Sequence, residues 1–80
     1  MYRNIELNYS LNDDKSILTI EMQEETTNSC KGLVKEYNLL EFDDNTILYN
    51  QTLDDFDAEY DELLANLLEK LIDKVLKENE

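Results

Sequence analysis

The side chains able to do chemistry in this chain are almost all carboxylates: twenty Asp and Glu stand beside seven Lys and Arg, one cysteine and no histidine. Histidine is the commonest acid–base residue and the commonest metal ligand, so its absence removes most routes to catalysis near neutral pH. Without it, Cys30 has no imidazole to activate its thiol. Zinc sites of the Cys/His type are excluded on the same ground. One glycine, Gly32, cannot build a glycine-rich phosphate loop. Paired carboxylates remain, but glycosidase-like work needs a deep cleft, which a chain of this length seldom supplies. Asp54-Asp55-Phe56-Asp57 lacks the alternating ligands and the sixth-position glycine of an EF-hand loop. The expectation is a protein that is not an enzyme and uses no cofactor or metal.

What the carboxylates do offer is charge. The net value is −13, which repels nucleic acid and anionic membranes and favours basic partners. From Glu36 to Glu69 the chain holds eleven acids and no Lys or Arg. Within that span Glu41, Asp43, Asp44, Asp54, Asp55, Asp57, Glu59, Asp61 and Glu62 form the candidate partner-binding surface. On a continuous helix, Asp54, Asp57 and Asp61 would stack at three- and four-residue steps, as would Asp55, Glu59 and Glu62. Those steps advance about 4.5–6 Å along the axis, comparable with the spacing of phosphates on a nucleic-acid strand. Such an array can imitate a phosphate backbone and fill a basic groove. The plainer reading is that acids favour a helix N-terminus and keep a small protein soluble.

The elements that must carry these residues follow from periodicity. Residues 3–11 alternate, with Ile5, Leu7, Tyr9 and Leu11 on one side, which predicts a strand. Asn12-Asp13-Asp14-Lys15 suits a turn, and 16–24 reads as a second strand paired to the first as a hairpin. Residues 32–42 are apolar without a clean period, so strand and helix both remain open. After Asp43-Asp44-Asn45, residues 46–51 read as a short fourth strand. Phe56, Tyr60, Leu63, Leu64, Leu67, Leu68, Leu71, Ile72, Val75 and Leu76 recur at helical spacing and predict one helix over 54–78, roughly 37 Å long. Thr52 with Asp55 resembles its capping box, with Asp54 as a competing N-cap. The expected fold is α+β: an antiparallel meander of about four strands in a single domain, covered on one face by a long C-terminal helix.

The apolar stripe of that helix is wider than one sheet face needs. Leu68, Ile72 and Leu76 either fill a deeper core or form an oligomer face, so monomer and homodimer both stand. Tyr9 and Tyr60 fall in apolar patterns and are expected in the core, whereas Tyr37 and Tyr49 are less committed. Cys30 lies in a polar loop as an incidental thiol. A lone cysteine fits a reducing compartment, and residues 1–6 lack the apolar run of a signal peptide. No stretch approaches a membrane span of about 20 apolar residues. A cytoplasmic location is expected. In charge and size alone the chain is similar to the small acidic inhibitors that phages and plasmids direct against DNA-binding enzymes such as nucleases and CRISPR effectors. That resemblance implies a basic, nucleic-acid-binding protein as partner; the alternative is a structural or adaptor protein that self-associates through its C-terminal helix.

Overall fold

The computed structural model describes residues 2–78 as a three-stranded antiparallel sheet with two α-helices on one face. The strands β1 (Arg3–Leu11), β2 (Ile17–Thr26) and β3 (Cys30–Asn38) lie in the order β1-β2-β3. The Asn12 carboxamide oxygen accepts from the Ser16 and Ile17 amides, both at 2.8 Å, and Lys15 takes a positive φ of 61° to close the first turn. The second turn is closed by the Thr26 amide donating to the Ser29 carbonyl at 2.8 Å. The third segment is thus a strand, and it begins at Cys30, two residues earlier than its apolar run.

Alternation sorts the sheet into two faces. The rows Leu7–Met22–Leu33 and Leu11–Leu18–Tyr37 point toward the helices. Leu18 and Ile20 of the central strand are fully buried, each contributing about 1.5–3 kcal/mol relative to exposure. They meet Leu48, Phe56, Ala58, Leu64, Leu68, Ile72 and Val75 in a single core. At one end the core closes with charge: Glu24 accepts from Arg3 Nε at 2.7 Å and pairs with Lys31 at 3.3 Å.

The expected fourth strand is a helix. α1 spans Asn45–Asp55, with Asp44 as N-cap accepting from the Thr46 amide at 2.7 Å. The four-residue steps Leu48, Thr52 and Phe56 are all buried, a helical period that outweighs six residues of weak alternation. Thr52 therefore caps nothing. It sits inside α1 and donates its hydroxyl to the Tyr49 carbonyl at 2.8 Å.

The single helix expected over 54–78 is also broken. α1 ends at Asp55, Asp57 enters the left-handed region at φ 53°, and a 3-10 turn runs over Ala58–Tyr60. Only then does α2 span Glu62–Glu78. Asp tolerates the left-handed conformation better than most residues, so no glycine or proline was needed to mark the break. Ala58, with no exposure at all, lets the chain turn tightly against the core.

Candidate acidic interface

The nine candidate carboxylates fall into two groups. Glu41 closes a 3-10 turn over Leu39–Glu41, and Asp43 and Asp44 follow it at the start of α1. Asp54, Asp55, Asp57, Glu59, Asp61 and Glu62 cluster where α1 hands over to α2. Between the groups residues 45–53 carry no charge, and ten helical residues from Asp44 to Asp54 span about 15 Å. One unbroken strip is not formed. Nor do the two helical ladders exist, because the chain leaves the helix at Phe56 and re-enters at Glu62.

The second group is divided by the helix dipoles: Glu62 in the first turn of α2 is favourably placed, whereas Asp54 and Asp55 are not. Asp54 and Asp55 were expected at a helix N-terminus; they occupy the last turn of α1, where the dipole is negative. Asp55 accepts from Gln51 Nε2 at 2.9 Å. Asp54, Asp57, Glu59 and Glu62 are exposed and, among the described residues, make no side-chain hydrogen bond or ion pair. Asp61 differs. It is half-buried, accepts from the Leu64 amide at 3.2 Å to cap α2, and pairs with Arg3. The Arg3 guanidinium holds the Asp61 carboxyl below its ordinary range, and likewise that of Glu24. Asp61 is thus committed to the fold.

Tyr60, expected in the core, is 91 % exposed in the midst of these acids, and Leu63 is 49 % exposed beside them. Its helical spacing was misleading because residue 60 lies in the 3-10 turn, off the phase of α2. The acids on either side, Glu59 and Asp61, were the signal for exposure.

The open face of the sheet was missed as well. Glu6, Glu21, Glu25 and Glu36 all project from it, whereas Arg3, Lys31 and Lys35 share the helix-facing side by the same alternation. Strand parity in the sequence carries that partition.

No family model, curated protein or solved structure matches this chain. No helix among the described residues is long and apolar enough to cross a membrane.

The expected oligomer face on α2 is occupied internally. Leu68 is 0 % and Ile72 2 % exposed, and Leu76 is half-buried against the same core. The stripe was wide because α2 packs against both the sheet and α1. Tyr37 is buried too, its ring meeting Phe42 edge-on at 6.3 Å. Among the described residues its hydroxyl has no hydrogen-bond partner. Burial, and secondarily the Asp55 carboxylate, push this phenol far above its ordinary range.

Proposed function

We propose that this protein is a small acidic binding protein that inhibits a nucleic-acid-binding partner by occupying its basic site. The contact surface is the α1–α2 connection, with Asp54, Asp57, Glu59 and Glu62 supplying charge and Tyr60 the apolar anchor. The observation that carries this reading is the placement of the carboxylates. Asp54 in the last turn of α1 and Asp57 just beyond it are unpaired among the described residues and crowded by Asp55 and Glu59, which lowers stability, and a cationic partner is what would offset that loss. Exposed tyrosine is enriched at protein interfaces, and here it stands among those acids. Asp43, Asp44 and Glu41 extend the negative surface at the other end of α1. A phage- or plasmid-encoded protein directed against a nuclease or CRISPR effector in the cytoplasm fits this profile.

The test uses the full chain and a basic nucleic-acid-binding protein, a nuclease or a repressor, with labelled duplex DNA. The chain displaces the DNA at low salt, displacement weakens as sodium chloride rises, and Asp57→Lys with Glu59→Lys abolishes it. Displacement indifferent to both salt and charge reversal rejects the reading.

A further inference from the structure

Among the described residues β1 stands at the edge of the sheet, with only β2 beside it. In an antiparallel ladder, alternate residues turn their backbone groups to the neighbouring strand. The Asn12 amide donates to the Ile17 carbonyl at 3.2 Å, which sets the phase. With the register Ser10↔Thr19, Asn8↔Glu21, Glu6↔Gln23 and Asn4↔Glu25, the even-numbered residues bond to β2. Ile5, Leu7 and Tyr9 therefore aim their N–H and C=O groups at the free edge. Their side chains face the helix layer but stay only half-buried. Leu7 and Tyr9 form one wall of a groove whose other wall is Leu67 and Leu71 of α2, with Lys70 and Lys74 at the rim.

The two edges of the sheet are guarded differently. β3 places Lys31 and Lys35 on its helix-facing side, and inward-pointing charge is a common means of blocking edge pairing. β1 has one inward-pointing charge, Arg3 at its first residue, held by Glu24 and Asp61; from Asn4 to Leu11 it has no proline, no lysine and no inward-pointing charge.

We propose that β1 pairs with β1 of a second copy of this chain, antiparallel about a two-fold axis at Leu7, to form a six-stranded sheet. The occupant is a second copy because the strand is complementary to itself in that register. Leu7 faces Leu7 and Ile5 faces Tyr9, so the outward-aimed backbone groups match and the apolar rows join. Glu6 faces Asn8, not another acid, and all nine residues pair. Moving the axis to Glu6 sets that carboxylate against its own copy. Moving it to Asn8 runs Arg3 past the end of the opposite strand. A one-residue slip puts the outward-aimed backbone groups out of phase and turns the apolar row to the wrong face.

Each copy carries −13, so repulsion opposes pairing and added salt strengthens it. Binding of a basic partner has the opposite salt dependence, and the two proposals fail independently. The test is sedimentation of the full chain from micromolar to millimolar concentration at low and high sodium chloride, with amide exchange followed by NMR. The expected result is a dimer favoured by salt, in which the Ile5, Leu7 and Tyr9 amides become slow to exchange as it forms. Leu7→Lys weakens the dimer at least about tenfold. Should that variant fold poorly, Asn8→Lys, on the solvent face opposite Glu6 of the copy, tightens it about fivefold through two cross-strand ion pairs. A monomer under every condition overturns the proposal. So does a dimer whose Ile5, Leu7 and Tyr9 amides still exchange as fast as in dilute solution, or one that Asn8→Lys leaves unchanged.

Discussion

Replacing Asp54 by lysine should make this protein more stable. Asp54 is exposed in the last turn of α1, its side chain has no described partner, and Asp55 and Asp57 repel it. Removing a charge of the wrong sign from a helix terminus gains about 0.3–1 kcal/mol, and adding one of the right sign gains about as much again. Taking about 1 kcal/mol for the whole change, a domain of this size should melt about 4–8 °C higher. Asp54→Asn removes the charge at nearly constant helix propensity and should yield about half the gain. The assay is thermal unfolding followed by circular dichroism, at low salt and in molar sodium chloride. In molar salt the Debye length falls to about 3 Å, so most of the gain should vanish. A lysine variant that melts no higher at low salt refutes the electrostatic account of this site. A gain that survives molar salt assigns it to propensity instead of charge.

Other perturbations address the fold. Leu68→Ala removes a side chain with no exposure and should lower unfolding free energy by about 2–5 kcal/mol in denaturant titration. That is a large share of the 5–15 kcal/mol typical of native proteins. Tyr37→Phe deletes a buried hydroxyl that has no hydrogen-bond partner among the described residues, and should stabilise by about 1 kcal/mol. Because burial holds the native phenol above its ordinary range, the unfolded chain loses that proton first and stability falls as pH rises beyond about 10; the variant should resist alkaline unfolding better. Arg3→Gln should lower the melting temperature at neutral pH. Asp61 and Glu24 are held below their ordinary range by Arg3, so the stability they gain is present above about pH 4 and lost as pH falls through their lowered values. The gap between wild type and variant should therefore narrow in acid; a constant gap would mean the arginine acts by packing alone.

The sheet was legible in the sequence where one face is buried. Ile5, Leu7, Tyr9 and Leu18, Ile20, Met22 alternate because each has a core to reach and each neighbour has water. β3 was harder, since Lys31 and Lys35 share the inner face with Leu33 and Tyr37 and blur the pattern. The second half of the chain misled for a tertiary reason. Leu48, Thr52 and Phe56 bury one side of α1, but a threonine in that row hides the period, and local alternation over 46–51 reads as a strand. The break between the helices leaves no glycine or proline behind. It is made by Asp57 in a conformation that aspartate tolerates, and by a fully buried Ala58 that permits close approach. With the break unseen, Tyr60 took a core position it does not hold, and the acids acquired a helical spacing the chain never gives them. Their concentration between Glu36 and Glu69 was nonetheless plain, and six of the nine candidates do meet at one junction.

The measurement that bears most directly on the acidic site compares the full chain with a variant carrying Asp54→Lys, Asp57→Lys, Glu59→Lys and Glu62→Lys, each immobilised and exposed to a set of basic DNA-binding proteins. Wild type should retain a basic protein, release it as sodium chloride rises, and displace labelled DNA from it in solution, while the variant, its fold checked by circular dichroism, should do none of these. Equal retention by the two chains would contradict the assignment of function to this junction.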